Sequence, residues 1–241
     1  MKILCVISAR GGSQGLKNKN LINFFGKPLI YWSIKQAMKS KVIKEVYVST
    51  DSSNIAKFCK SQGAIIPFIR NKKLATSNAS KFLTWKDSLK RIEKVNKTKY
   101  DYFFDLDCTN PLRSPEDIRS FVNTSIKKIN NIIDGVITVA KARKNPYFNM
   151  LELNKNKLLV LSKKKSKNPV SRQQAPLVFD QVASMYFFKT SFIRNNNALY
   201  QGKLVGFVLK EYQNFDIDSE IDYKVIKTLF KTYYLKKQCT I

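Results

Sequence analysis

The chain has no histidine and few acids, with 17 Asp and Glu against 44 Lys and Arg in 241 residues. Without imidazole, Ser-His-Asp and Cys-His nucleophile systems and His-ligated zinc are excluded. Any catalysis must be built from Lys, Arg, carboxylates, hydroxyls, thiols, backbone amides or a bound metal. Cysteine is also scarce. Cys5, Cys59, Cys108 and Cys239 show no CxxC spacing and sit in or beside apolar runs, as small core residues do, so no disulfide framework is expected. No run approaches the roughly 18 apolar residues of a membrane span, and the apolar Met1–Ile7 run is too short for a secretory h-region. A cytoplasmic protein without membrane insertion is the expectation. Repeats and Pro- or Gly-rich linkers are missing too, so residues 1–241 read as a single domain.

What is present in excess is positive charge, a formal +27. Lysines spread over solvent faces account for most of it, since the one dense run is Lys163-Lys164-Lys165-Ser166-Lys167. No RNA-binding aromatic signature or zinc-finger spacing accompanies it, which argues against specific nucleic-acid recognition. A basic nucleic-acid-binding protein is the alternative from a different class. The excess favours an anionic small substrate by long-range attraction.

Periodicity and punctuation give strands at 2–8, 45–50, 64–69, 102–107 and 135–140. Helices alternate with them, from Pro28 to about Lys39, over 52–62 closing at Gly63, over 79–94, and from the Ser114-Pro115-Glu116-Asp117 cap to about Ile129. Such alternation predicts an α/β fold with a mostly parallel sheet covered on both faces. Residues 145–186 break the pattern, with short apolar pieces and no clear helix. Strands near 182–188 and 204–210 and a terminal helix over about 219–234 follow. The 145–186 segment therefore reads as an irregular β-rich excursion within the one domain.

Three segments at strand ends carry chemistry. Loop 9–20 contains Arg10-Gly11-Gly12-Ser13, whose glycines turn tightly and present N–H groups to a phosphate, with Arg10, Lys17 and Lys19 adding charge. It matches neither the dinucleotide GxGxxG fingerprint nor the GxxxxGK[ST] P-loop. In extended Asp216-Ile217-Asp218, both carboxylates project to one side while Ile217 faces the core. A hard divalent ion suits such a pair; the plain alternative is a solvated pair beside a helix cap made by Ser219 and Asp222. Asp105-Leu106-Asp107 repeats this spacing at the end of a strand. Asp107, at the rim, is the better ligand candidate, and Thr109 and Asn110 follow in a pocket-lining loop.

Together these segments resemble the acylneuraminate (nonulosonic acid) cytidylyltransferases, the CMP-sialic acid synthetase family. The shared pieces include Ala9-Arg10-Gly11-Gly12-Ser13, Lys19-Asn20, Val48-Ser49-Thr50-Asp51, Phe68-Ile69-Arg70, Asn110-Pro111-Leu112-Arg113, Arg172-Gln173-Gln174-Ala175-Pro176 and Asp216-Ile217-Asp218, in order over nearly the whole chain. The resemblance implies a Rossmann-like sheet of the nucleotide-diphospho-sugar transferase type. It also implies Mg²⁺, and a homodimer to which the late excursion contributes together with the sugar pocket. The implied reaction joins CTP to a 2-keto sugar acid, giving the CMP-sugar and pyrophosphate. Arg10, Lys19 and Asp216 take the catalytic roles by this likeness. Arg10, Gly11, Gly12, Ser13, Asn20, Arg70 and Ser80 bind the nucleotide. Asp107, Thr109, Asn110, Arg172 and Tyr186 meet the sugar, and Asp216 and Asp218 hold the metal.

Three positions depart from the family pattern, all on the substrate side. Asp107 replaces a frequent Gln, Lys81 a second Ser, and Val182 an Asn. The Asp-Leu-Asp form, with Lys144-Asn145-Pro146-Tyr147-Phe148-Asn149, looks most like the branch that activates legionaminic acid. N-acetylneuraminate, pseudaminate, 3-deoxy-octulosonate or another NTP are the alternatives within this class.

Overall fold

A computed structural model describes residues 1–13 and 15–235, so Cys239 lies outside the described residues. Strand β1 (Ile3–Ser8) is buried along its length and sits second from one edge of a six-stranded sheet. Beyond the two-residue strands β2 (Asn23–Phe24) and β3 (Lys27–Pro28), helix α1 (Leu29–Lys39) leads to β4 (Val46–Ser49), which pairs parallel with β1. Helices α2 (Ser53–Ser61) and α3 (Lys81–Asn96) precede β5 (Tyr102–Leu106), parallel to β1 on its other side. Helix α4 (Pro115–Lys128) leads to β6 (Gly135–Lys141). A hairpin of β7 (Leu151–Leu153) and β8 (Leu159–Leu161) stands outside the sheet. Then β9 (Phe179–Lys189) enters between β5 and β6, antiparallel to both. After the short α5 (Thr190–Asn195), β10 (Leu204–Val208) adds parallel to β6, and α6 (Glu220–Phe230) follows. The order is β10-β6-β9-β5-β1-β4.

Burial on both faces explains the continuous apolar strands. Cys5 and Ile7 of β1 pack with α1, α2 and α4 through Ile34, Cys59 and Phe121. Leu4 and Val6 face the other way, toward Trp85 and Leu89 of α3 and Phe192 of α5. A third cluster, Phe24, Leu29, Leu112, Ile217 and Phe230, packs the β2–β3 turn and the end of the chain together beside the sheet.

The expected helix ends are present. Ser52 and Ser80 cap α2 and α3, and Ser114 with Asp117, like Ser219 with Asp222, forms a reciprocal capping box. Gly63, at φ +90, follows the end of α2. Residues 64–69 differ from expectation. They make only isolated bridges, Tyr47 to Ile65 and Thr50 to Ile69. Pro67 lies between them and has no N–H to continue a ladder.

Candidate active site

The chain runs from β1 to β4 on one side, then crosses to β5 on the other. Loops leaving the carboxyl ends of β1 and β5 therefore diverge, and a crevice opens between them. A cavity of about 490 Å³ occupies this place, lined by Arg10, Ser13, Gly15, Lys19, Arg70, Lys81, Asp107, Thr109 and Asp218, among others.

The β1 loop is held at both ends. The Gly11 N–H donates to Asp51 Oδ1 at 2.8 Å, and the Asn20 side-chain amide donates to the Arg10 carbonyl at 2.9 Å. Gly15 presses against the late carboxylate segment so closely that a Cβ there would lie 2.2 Å from the Asp218 carbonyl oxygen. That segment is fixed by the Ile217 N–H, which donates to the Thr109 carbonyl at 2.9 Å, and by the fully buried Ile217 side chain. Lys19 Nζ then meets Asp218 Oδ1 at 2.7 Å. Residues about two hundred positions apart share one wall.

Arg70 is buried, faces the cavity, and leaves Nε and Nη2 without a hydrogen-bond partner among the described residues. Burial lowers its pKa, against the opposing pull of Asp51. Buried donors left unpaired are costly, so this guanidinium is matched to a ligand with acceptor oxygens. Across the cavity, Asp107 Oδ1 accepts from the Thr109 N–H and hydroxyl at 3.0 and 2.9 Å, and Lys81 Nζ lies 2.6 Å from Asp107 Oδ2. Burial acts to raise the Asp107 pKa, but Lys81 and the Thr109 hydrogen bonds outweigh it and hold the carboxyl below its usual range. Asp216 goes the other way. Burial and the neighbouring Asp218 push it up to about 6, with Asp107 adding and Lys19 opposing.

The model of the family described as cytidylyltransferase matches residues 4–241. The chain belongs to that family. This cytidylyltransferase is 41% identical over 231 residues to post-translational flagellin modification protein B of Campylobacter coli, covering 95% of both chains. It is 40% identical to the CMP-N,N'-diacetyllegionaminic acid synthase of Campylobacter jejuni, covering 95% of this chain and 94% of that one. Pseudaminic acid cytidylyltransferase of Campylobacter jejuni is 28% identical over 231 residues, covering 96% and 97%. The fold is that of CMP:2-keto-3-deoxy-manno-octonic acid synthetase complexed with CTP, with TM-score 0.71 at 15% identity and coverage of 96% and 99%.

In this cytidylyltransferase the expected site residues are not all brought to one place. Arg10, Ser13, Lys19, Asn20, Arg70, Asp107, Thr109 and Asp218 line the cavity, with Gly11 and Gly12 in its loop. Asp216 lies two residues before Asp218 in the same segment and is not itself among the residues lining the cavity. Ser80 is the exposed cap of α3, its Oγ accepting from the Leu83 N–H at 3.4 Å. Tyr186 is buried beneath Lys81, its ring centre 4.4 Å from Nζ.

Asn110 and Arg172 are not brought to the cavity. Asn110 is fully buried, its Nδ2 donating to the Gln213 carbonyl at 2.8 Å and its Oδ1 accepting from the Leu112 N–H at 3.2 Å. Both ends of its amide hold the loop in place. Arg172 lines a separate cavity of about 390 Å³ with Lys141, Arg143 and Lys144. Asn20 also does more than line the wall, because its Oδ1 accepts from Cys108 Sγ at 2.9 Å and so ties the β1 loop to the β5 loop.

Two positions have roles that the sequence does not assign, Arg113 appearing there only within a shared segment and Lys81 only as a substrate-side departure. Arg113 is fully buried and donates to the Asp107 and Asn110 carbonyls and, at 2.8 Å, to Ser33 Oγ. Burial lowers its pKa to about 10. It positions the loop that carries Asp107. Lys81 is the other, and its signal in the sequence is a cation at the start of a helix, where the dipole disfavours it.

Proposed function

We propose that the chain activates a nonulosonic acid, with N,N'-diacetyllegionaminic acid the leading candidate, by transferring the cytidylyl group of CTP and releasing pyrophosphate. One observation carries this reading: Arg10, Ser13 and Lys19 from the first loop share a single cavity with Asp218 from the last. Anion-gripping groups and hard oxygen donors then meet at the same substrate. The Campylobacter relatives named for legionaminic and pseudaminic acids supply the substrate class.

In this proposal Arg10 and the Gly11-Gly12-Ser13 turn hold the triphosphate, Lys19 neutralises charge on the α-phosphoryl group, and Arg70 engages nucleotide oxygens. The anomeric hydroxyl attacks the α-phosphorus as the bond to the β-phosphate oxygen breaks and pyrophosphate departs. Proton removal from that hydroxyl is assigned to Asp216, the less exposed of the two carboxylates. Such transfer needs alignment and charge neutralisation rather than a nucleophilic side chain, which suits a chain without histidine.

Among the described residues no cluster of three or more His, Cys, Asp or Glu is placed to hold a metal ion. Asp216 and Asp218 nevertheless fit Mg²⁺, which takes one or two carboxylates and completes its shell with substrate phosphate and water. Bound there, Mg²⁺ supplies charge neutralisation of the triphosphate.

The working form is a homodimer. The excursion exposes Leu151, Leu153, Leu158 and Leu159, and Arg172 is carried away from the cavity of its own chain. A second copy covering this surface is the means by which Arg172 reaches a sugar. Cytoplasmic action follows from CTP as co-substrate, and among the described residues no helix is long and apolar enough to cross a membrane.

The deciding measurement is pyrophosphate release from a matrix of NTPs and sugar acids, including legionaminate, pseudaminate, N-acetylneuraminate and 3-deoxy-octulosonate. CTP with a nonulosonate gives product, and chelation of divalent cations removes it. Turnover with another NTP, while CTP fails with every nonulosonate, overturns the reading.

A further inference from the structure

Lys81 occupies the first position of α3, directly after the Ser80 cap. Its ammonium spans to the end of β5, 3.0 Å from Asp105 Oδ2 and 2.6 Å from Asp107 Oδ2. It also lies 4.4 Å from the ring centre of Tyr186 and 5.5 Å from that of Trp85. Asp105, Trp85 and Tyr186 are buried, and the Thr109 N–H and hydroxyl fix the other oxygen of Asp107. Lys81 is thus compensated before any ligand arrives. Its side chain is still 36% exposed and lines the cavity.

A bare ammonium in a pocket prefers a carboxylate. One already matched by carboxylates is different: it offers a directed hydrogen bond with little net charge. An ammonium has three donors; one is placed on Asp107 Oδ2, and Asp105 Oδ2 stands at ion-pair distance without saturating the ammonium. A remaining donor suits an uncharged oxygen, such as an amide carbonyl. The position within the cavity matters as well. The Thr109 carbonyl accepts from the Ile217 N–H at 2.9 Å, so the Asp107–Thr109 turn abuts the Asp216–Asp218 segment, which Gly15 and Lys19 of the Arg10 loop also meet. The proposed reaction gives the triphosphate to Arg10 and the Gly11-Gly12-Ser13 turn, and the attacking sugar acid to the Asp107–Thr109 turn.

We propose that Lys81 is a specificity-determining residue that donates a hydrogen bond to an uncharged acyl oxygen of the sugar acid, and that Asp107, together with Asp105, sets this preference by cancelling the lysine's charge. The inference rests on the reading that this cavity joins a sugar acid to CTP. It goes beyond that reading by naming the chemistry selected and the pair that selects it.

The test compares two sugar acids of the same carbon skeleton, one carrying an acylamino group and one a hydroxyl in its place. KM for each acid and for CTP is measured in wild type, Lys81→Met, Asp107→Asn and Lys81→Gln/Asp107→Asn. Lys81→Met should raise KM for the acylamino acid at least fivefold and bring the two acids within twofold of each other, with KM for CTP changed less than twofold. Asp107→Asn, which leaves the ammonium paired with Asp105 alone, should also narrow the preference. Lys81→Met removes the counter-charge from buried Asp105, so melting curves accompany each variant. The double variant keeps a donor and leaves one buried acid, Asp105, in place of two, and should retain the wild-type order of preference even where the single variant does not fold. An unchanged ratio in a folded Lys81→Met, a lost preference in a folded double variant, or a rise confined to KM for CTP overturns the inference. Wild type that makes no CMP-sugar from any sugar acid overturns the proposed function instead.

Discussion

Asp216 shows how far a single residue can work against the fold that holds it. Its usual value is 3.8, and burial beside Asp218 raises it to about 6. Between these values the native chain binds a proton that the unfolded chain has released, so stability falls as pH rises through this window and stays lower above it. The difference corresponds to roughly 3 kcal/mol, which partial exposure and screening reduce to about 1 kcal/mol. We expect Asp216→Asn to raise the melting temperature by about 2–4 °C at pH 8 without divalent cation, and to change it little at pH 4. The same variant should lose more than tenfold in turnover. Thermal melting at the two pH values checks this; an unchanged or lower melting temperature at pH 8 contradicts the repulsion argued here.

At the scale of elements, the site depends on how closely the loop after β1 meets the segment before α6. Gly15 is the point of contact, and a methyl group there would drive the Asp218 carbonyl away. Gly15→Ala should therefore lower kcat/KM for CTP by more than tenfold, corresponding to about 1.4 kcal/mol or more of transition-state binding, while the melting temperature moves by only a few degrees. Wild-type kinetics with this variant would show that the two segments need not touch. The elements themselves are largely legible in the sequence, because caps and buried strands are local signals: Ser114 with Asp117, Gly63 after α2, and the apolar run of β1 each announce themselves. The antiparallel entry of β9 between β5 and β6 does not, since its partners lie far away along the chain and its own residues only report burial. Site residues divide in the same way. Arg10 and Lys19 are legible as charges in the loop after β1, and Asp218 by its two-residue spacing from Asp216, although the structure forms no strand there. That Asn110 is consumed by Gln213 and Leu112, and that Lys81 answers Asp107, are tertiary facts with no local signature.

For the molecule as a whole, the β7–β8 hairpin and the net charge of +27 pull in opposite directions. Cross-strand pairing joins Leu151 to Leu161 and Leu153 to Leu159, so leucines share one face while Glu152 and Val160 lie on the other. A two-stranded hairpin alone is marginal in water and gains stability from packing against something else. Burying each exposed leucine contributes roughly 1.5–3 kcal/mol. In the proposed homodimer a second copy would supply that cover and would bring another +27 with it. Apolar contact under like-charge repulsion has a recognisable salt dependence: screening weakens the repulsion and leaves the apolar term in place. The dimer should accordingly tighten as salt rises from low to physiological strength, the opposite of an interface built on ion pairs. Leu153→Asp/Leu159→Asp should sediment as a monomer at concentrations where wild type is a dimer. It should also raise KM for the sugar acid more than KM for CTP, because Arg172 is no longer delivered to a neighbouring cavity. Sedimentation velocity across a salt series, with kinetics on the same samples, decides the matter. A wild-type monomer at every salt, or a double variant that still dimerises with unchanged sugar KM, removes the hairpin from this role.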